Sequence, residues 1–204
     1  MIIQLYDHMR IIFFSMTLLL IASAAYCTDY YVNASTGSDV AIYGTSDNPW
    51  KTITYALGQI SGSGHTLHVS DGTYNTSLGE VFPINVKDGV SLIGSGMDVC
   101  IIDVDGDTNS VMRCVSIIDT STRVEGFTIT GGLLTYPADL TGSGIYISAG
   151  SNVQIVNNRI TDNHTVHHPW RSSMGEGIYI ENSSPKILNN MVHHNNSYLD
   201  KCKA

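Results

Sequence analysis

The sequence predicts an all-β solenoid, a stack of short strands wound into successive coils. Charged residues make up only 14% of the chain, and 19 glycines punctuate segments rich in Ile, Val, Thr, Ser, Asn and Tyr, the profile of short strands joined by tight turns. A unit near the C-terminus occurs twice. Gly144-Ile145-Tyr146-Ile147 and the segment 153–163 return as Gly177-Ile178-Tyr179-Ile180 and the segment 186–195. Because so short a unit cannot bury its apolar face alone, its copies must stack on one another.

The first residues, 1–27, are predicted to form a secretory signal peptide, with translation starting at Met1 or at Met9. An apolar run from 11 to 25 follows Arg10 and ends in small residues, which is the layout of a cleaved signal. The run is shorter than the roughly 18 residues that a membrane span needs, so we favour cleavage over an anchor. Cleavage predicts a secreted or cell-surface protein with no transmembrane segment in the mature chain.

If the protein is exported, its cysteines can form disulfides, because disulfides persist outside the cell. Cys100 and Cys114 are close enough in sequence to lie on neighbouring coils. A disulfide and two small buried core residues fit the sequence equally well. Cys27 is a candidate for lipidation, but Tyr26 stands where a small residue is expected before a lipidated cysteine, so we do not expect a lipid anchor.

Residues 28–64 are predicted to form an N-terminal strand, a loop and a capping helix. Pro49 favours the first turn of a helix, and Asn48 or Asp47 before it is a suitable N-cap. The apolar face of this amphipathic helix would be formed by Trp50, Ile53, Leu57 and Ile60, which follow at helical spacing. We expect the helix to cover the first coil, because a bare solenoid end exposes strand edges.

Residues 65–204 are predicted to form the coils. Segments of three to eight residues alternate with Gly, Ser and Asp turns, as expected for short strands. The predicted strands are 66–69, 81–86, 90–94, 99–103, 111–118 and 124–129. No closing cap is recognisable before Ala204, so we expect the chain to be a fragment of a longer protein, truncated at the C-terminus.

Motifs spread over the first half of the chain identify a known superfamily. They are Tyr31-Val32-Asn33, Gly37-Ser38-Asp39, Asn48-Pro49-Trp50-Lys51-Thr52-Ile53, Val69-Ser70-Asp71-Gly72-Thr73-Tyr74 and Val90-Ser91-Leu92-Ile93-Gly94-Ser95-Gly96. The run resembles the opening of secreted right-handed parallel β-helix proteins of the pectin-lyase-like superfamily. It is similar in particular to the domain of unknown function that begins many of them, and to the start of calcium-dependent family nine pectate lyases. The resemblance implies a right-handed parallel β-helix.

The resemblance also implies binding of acidic polysaccharide, or another cell-surface glycan, and in the lyases its cleavage. In those lyases an aspartate cluster on adjacent coils holds Ca²⁺ while a Lys or Arg removes the proton beside the uronate carboxylate. No such cluster and base can be assigned in this sequence, so a non-catalytic surface or adhesive solenoid stays an alternative. The formal charge of −8 argues against a nucleic-acid partner. It would also repel a polyanionic glycan unless a divalent cation bridges the two.

Asp103, Asp105 and Asp107 form the candidate metal site, because they place three carboxylates at alternate positions. An EF-hand would require the glycine two positions after Gly106 and a glutamate where Cys114 stands, so that motif fails. The sequence favours a turn whose Asp side chains cap backbone N–H groups. Ca²⁺ is the one cofactor that the pattern suggests.

Two insertions, 133–143 and 164–176, interrupt the repeat, and insertions in solenoids collect on one face. The candidate substrate-binding residues are Tyr136 and Asp139 in the first insertion, and His167, His168, Trp170 and Arg171 in the second. Aromatic rings suit stacking on sugars, and Arg suits pairing with carboxylates. The two loops are predicted to flank one groove, although ordinary exposed loops fit the pattern equally well.

Two further patterns concern residues after the insertions. Asn157-Asn158 and Asn189-Asn190 recur in register, so their side chains should stack and hydrogen-bond from coil to coil, a structural ladder. His193 and His194 are a candidate for a metal site with the loop histidines. We do not expect them to share one ion, because adjacent strand residues point to opposite faces.

Overall fold

The computed structural model describes residues 27–106, 108–137, 141–167 and 172–199 as a parallel β-solenoid of about four turns. All strand pairs among these residues are parallel. The predicted all-β solenoid is therefore confirmed. The predicted signal peptide lies almost wholly outside the described residues. Within the described part of the chain, no helix is long and apolar enough to cross a bilayer.

The structure contains one short helix, α1 (Ile53–Gln59), in the described residues, and many short strands. The strands up to the second full coil are β1 (Asp29–Val32), β2 (His65–Val69), β3 (Gly72–Tyr74), β4 (Ile84–Asn85), β5 (Val90–Gly94), β6 (Cys100–Asp103) and β7 (Met112–Val115). The later strands are β8 (Arg123–Glu125), β9 (Thr128–Thr130), β10 (Leu133–Thr135), β11 (Ile145–Ser148), β12 (Gln154–Val156), β13 (Arg159–Thr161), β14 (His164–His167), β15 (Ile178–Ile180), β16 (Lys186–Leu188), β17 (Met191–His193) and β18 (Asn196–Leu199).

These strands stack into four sheets that run along the solenoid. Sheet A has the order β1-β2-β5-β8-β12-β16, sheet B β3-β6-β9-β13-β17, sheet C β4-β7-β11-β15 and sheet D β10-β14-β18. A coil passes through sheets A, B and C, and from the third coil onward it also passes through sheet D between B and C. In sheet A, Val124 pairs with Ile155 and Ile155 with Ile187, so these coils repeat every 31 or 32 residues.

Apolar side chains at equivalent positions of successive coils form the core. In sheet A the register stacks Leu67, Leu92, Val124 and Ile155, all fully buried. Sheet B adds Ile102, Ile129 and Ile160 in the same way. Because side chains alternate between the two faces of a strand, the residues beside these positions face outward.

The N-terminal helix starts later than the sequence predicts. Its N-cap is Thr52, whose side chain accepts a hydrogen bond from Tyr55 N, so the predicted start at Asp47 or Asn48 is wrong. Trp50 is extended instead and forms a parallel bridge with Val32 of β1. That pairing satisfies backbone groups that a helix would have left unpaired at its first turn.

The helix packs Ile53, Ala56 and Leu57 into the core. Its first amides are satisfied by a buried carboxylate, because Ile53 N and Thr54 N donate to Glu80 at 2.6 and 2.9 Å. Burial raises the pKa of Glu80 despite these hydrogen bonds. The role of the helix as a cap of the first coil stays a prediction.

From the third coil onward, two-residue corners connect the strands of sheets A and B, and also those of sheets B and D. In the A–B corners the first residue has a positive φ: Gly126 at 81°, Asn157 at 54° and Asn189 at 54°. In the B–D corners, Gly131, Asp162 and His194 have φ of 77°, 54° and 54°. Gly, Asn and Asp tolerate this left-handed conformation better than other residues, which explains part of the repeat.

The second corner residue carries the ladder. The Asn158 amide accepts from Phe127 N at 3.0 Å and donates to Val124 O at 2.9 Å, and Asn190 Oδ1 accepts from Asn158 N at 2.9 Å. Asn190 Nδ2 donates in turn to Ile155 O. Hydrogen bonds between the asparagines of successive coils, and from them to the backbone of the preceding coil, therefore belong to Asn158 and Asn190.

The other two predicted ladder residues occupy the left-handed corner positions instead. Asn157 Nδ2 donates to Glu125 Oε1 at 2.7 Å, and Asn189 has the same backbone conformation one coil later. A second ladder, not predicted, runs through the B–D corners, where Asn163 Nδ2 donates to Asn195 Oδ1 at 3.0 Å. Its signal was present in the sequence, because both residues recur in the repeat.

Replacing Asn158 by Ala should lower the free energy of unfolding by about 3 kcal/mol, because two buried backbone groups lose their partners. Asn157→Gly is the matched control at the neighbouring position and should change stability by less than about 1 kcal/mol, since glycine adopts positive φ freely. Urea unfolding followed by circular dichroism measures both. Equal losses in the two variants would contradict the ladder.

Cys100 and Cys114 are both fully buried, and neither forms a disulfide. They lie on one and the same coil, Cys100 in β6 of sheet B and Cys114 in β7 of sheet C, so the expectation of neighbouring coils is wrong. Burial raises the pKa of each thiol to about 12. Of the two alternatives that the sequence left open, the structure has the small buried core residues.

The native protein should therefore protect both thiols from iodoacetamide at neutral pH, because the thiolate is the reactive form and neither sulfur is accessible. In the full-length chain, produced without cleavage of residues 1–27, the exposed Cys27 should react promptly and serves as the internal control. Peptide mass spectrometry before and after unfolding in denaturant without reductant measures the labelling. Failure of Cys100 and Cys114 to label in the unfolded state would reveal a disulfide and contradict this arrangement.

Candidate functional site

The outer face of sheet C carries a column of polar and aromatic side chains, one from each coil. Its members, in order, are Asn85, Arg113, Tyr146 and Tyr179. The alternation of β11 explains their direction, because Ile145 and Ile147 are fully buried and Tyr146 between them faces outward. We call this set the sheet C column.

The column is a stacked arrangement of a guanidinium and two rings. Arg113 Cζ lies 4.4 Å from the centroid of the Tyr146 ring, a favourable cation–π distance. The Tyr146 and Tyr179 rings are stacked with centroids 5.8 Å apart and planes inclined by 19°. Arg113 is exposed, and none of the ion pairs among the described residues involves it. Its guanidinium edge is thus available to an anionic group in solvent.

A carboxylate fixes the middle of the column. The Tyr146 hydroxyl donates a hydrogen bond to Glu181 Oε1, just after β15. This hydrogen bond is the main cause of the raised pKa of Tyr146, since the neighbouring carboxylate disfavours the phenolate. The phenol therefore stays protonated, and the column presents both a positive and a negative group.

A cleft of about 420 Å³ opens at the first-coil end of the column, between α1 and the segment 81–87. Asn85 belongs to both the cleft and the column. Most of the cleft wall is apolar and includes Leu57, Val81, Phe82 and Pro83. Lys87 also lines it, with its ammonium group donating to Ile60 O. The cleft and the column thus form one elongated surface.

The two inserted loops enter sheet C side by side. Thr141 and Met174, one from each loop, form a parallel bridge, and Gly142 N donates to Met174 O at 3.2 Å. Gly142 and Gly175 have φ of 68° and 65°. A Cβ at these glycines would meet backbone atoms of Tyr146 and Tyr179 at 2.9 and 2.8 Å. Both loops therefore end directly against the two tyrosines of the column.

The predicted substrate-binding residues divide into two groups. Tyr136 and His167 come together, since they follow the paired residues Thr135 and Val166 on neighbouring coils of sheet D. Tyr136 is 49% exposed, and its N–H donates to Val166 O at 3.1 Å. The other four, Asp139, His168, Trp170 and Arg171, lie outside the described residues.

The predicted metal site has the geometry of a capped turn. Asp103 Oδ1 accepts a hydrogen bond from Asp105 N at 2.8 Å, and Asp105 has a φ of 57° and is exposed. Asp107 lies outside the described residues. Among those that are described, no group of three or more His, Cys, Asp or Glu side chains gathers to hold a metal. The two described carboxylates do not by themselves fit Ca²⁺, which needs six to eight oxygen ligands.

Sequence reasoning missed Arg113, Tyr146, Tyr179 and Glu181 as candidate site residues. The available signal was the Ile-Tyr-Ile run in both repeats, because a tyrosine between two core isoleucines must face outward. The position of Arg113 carried no such signal, since it depends on the register between β7 and β11.

Comparison with known proteins gives one match. Residues 35–168, about two thirds of the 204 residues, match the family described as "Protein of unknown function (DUF1565)". The matched range includes three of the four column residues. No curated protein and no solved structure matches the chain.

Proposed function

The chain belongs to the DUF1565 family, and from this premise we propose that it is an exported, pectin-lyase-like β-helix protein that binds acidic polysaccharide along the outer face of sheet C. The sheet C column carries the proposal. An exposed guanidinium stacked on two tyrosine rings, beside an apolar cleft, combines the groups that recognise the carboxylates and the flat faces of uronate sugars.

The spacing of the column supports a linear polymer as the ligand. Neighbouring parallel strands lie about 4.8 Å apart, close to the length of one sugar ring. A polysaccharide parallel to the solenoid axis would therefore meet about one column residue with each sugar unit. Arg113 would pair with a carboxylate, and the exposed edges of Tyr146 and Tyr179 would contact neighbouring rings and hydroxyl groups.

The proposal concerns binding, with cleavage as a separate outcome of the test. Two basic groups lie along this surface: the face of the Arg113 guanidinium lies on the Tyr146 ring and leaves its edge for a carboxylate, and the Lys87 ammonium donates to Ile60 O. Among the residues that the structure describes, neither has a cluster of three or more acidic side chains beside it. Binding without turnover also fits the alternative function, a cell-surface or adhesive solenoid that attaches to glycans.

The net charge of −8 opposes the approach of a polyanion. Calcium enters the proposal only as a bridging ion between the acidic surface and the polysaccharide. Export rests on the signal-peptide pattern of residues 1–27, and it would place the protein where such polymers occur.

The test is a calorimetric titration of the intact protein with polygalacturonate, alginate and neutral dextran, with and without a calcium chelator. Arg113→Ala should weaken binding of the acidic polymers about tenfold, because a charge-assisted pair is lost. Tyr179→Ala should weaken it about fivefold through lost stacking. Absorbance of unsaturated uronate products in the ultraviolet reports any cleavage in the same samples.

The matched control is Arg123→Ala on sheet A, where the arginine pairs with Glu125 at 2.6 Å. This variant should bind like the unmodified protein. If the column variants also bind like it, or if dextran binds as tightly as the acidic polymers, the proposed surface is wrong.

A further inference from the structure

His193 and His194 form an imidazole pair at the corner between sheets B and D. Their Nδ1 atoms are 2.9 Å apart, with ring centroids 4.7 Å apart and ring planes nearly perpendicular at 84°. The expectation that they point to opposite faces is wrong. His194 has a φ of 54°, so it leaves the extended conformation and its ring turns back toward His193.

A short chain of hydrogen bonds orients the first imidazole. The Thr161 hydroxyl lies 2.8 Å from Asp162 Oδ2 and 3.2 Å from His193 Nδ1. Because the carboxylate can only accept, the hydroxyl donates to Asp162, and its oxygen is left to accept from His193 Nδ1. The lone pair of His194 Nδ1 then faces the same proton.

We propose that this pair binds a divalent transition-metal ion, copper(II) or nickel(II), through the two Nδ1 atoms. Two nitrogen donors at about 2.0–2.1 Å from a metal and at right angles to each other are roughly 2.9 Å apart, which is the separation observed. Adjacent donors at right angles occur in the tetragonal and octahedral geometries of these ions. On binding, the His193 proton moves from Nδ1 to Nε2, and the metal takes its place.

The pair supplies two ligands, and solvent completes the coordination sphere. His194 is exposed and His193 is half-buried, so water has access. Asp162 is engaged by Thr161 and orients His193 rather than contacting the metal. The site lies on sheet B, whereas the sheet C column lies on a different face, so this inference does not depend on the proposed function.

The test is a calorimetric titration of untagged, intact protein with Ni(II), which does not oxidise the exposed Cys27. We expect one equivalent bound at micromolar affinity, with paramagnetic broadening of the His193 and His194 ring signals in NMR spectra. His194→Asn removes one donor and keeps a residue that tolerates positive φ. This variant and His193→Gln should each bind Ni(II) at least about tenfold more weakly than the unmodified protein, because chelation by two donors is lost.

His68→Ala is the control, since His68 lies on sheet A against Asp29 at 3.1 Å and belongs to no histidine pair in the described structure. It should bind Ni(II) like the unmodified protein. Thermal unfolding of each variant checks that the fold is intact. Unchanged Ni(II) affinity in folded His194→Asn and His193→Gln, or no binding by the unmodified protein, would overturn the site.

Discussion

From the third coil onward, the A–B and B–D corners of the solenoid depend on the asparagine ladders, because strand pairing alone does not satisfy the backbone groups there. Phe127 N and Val124 O are buried and obtain their partners from the Asn158 side chain. At the next corner the Asn163 side chain likewise accepts a hydrogen bond from Gly132 N and donates one to Ile129 O. An unsatisfied buried backbone group costs as much as the net gain from several hydrogen bonds. The ladders therefore hold each coil at one height and in one register relative to the next.

A fixed register is also what produces the outer surface. Once Ile145 and Ile147 are set in the core, Tyr146 has one direction left, and the pairing of β11 with β7 and β15 places Arg113 and Tyr179 beside it. The stack of guanidinium and rings is thus a by-product of core packing. Its chemistry comes from the residue types that occupy outward positions, which the core does not restrict.

Much of the architecture could be predicted from the sequence, because the ladder asparagines and the apolar core residues recur at regular intervals along it. The repeat located the coils, and the recurring asparagines located the A–B corners. The start of α1 was misplaced because Trp50 gains more from its bridge to Val32 than from a helical turn, and this gain depends on a distant strand. His194 was misread for a similar reason, since a strand pattern does not reveal which residue turns into the left-handed region.

The candidate site was harder to predict than the fold. Tyr136 and His167 lie next to each other on neighbouring coils of sheet D, but the loop residues on which the prediction relied most lie outside the described structure. The column residues were overlooked because outward positions carry no periodic constraint of their own. Single outward residues become a surface only after the register is known.

The connection between sheets D and C has a consequence for how proteins of this kind can diversify. The A–B and B–D corners after the second coil are two residues long and carry the ladders. The segments before Ile145 and Ile178 are longer, and their described C-terminal ends are anchored through Gly142 and Gly175 against the tyrosines. Residues can be added or removed there without shifting any ladder. This junction is therefore a natural point for evolution, or for an engineer, to graft new loops beside an unchanged scaffold.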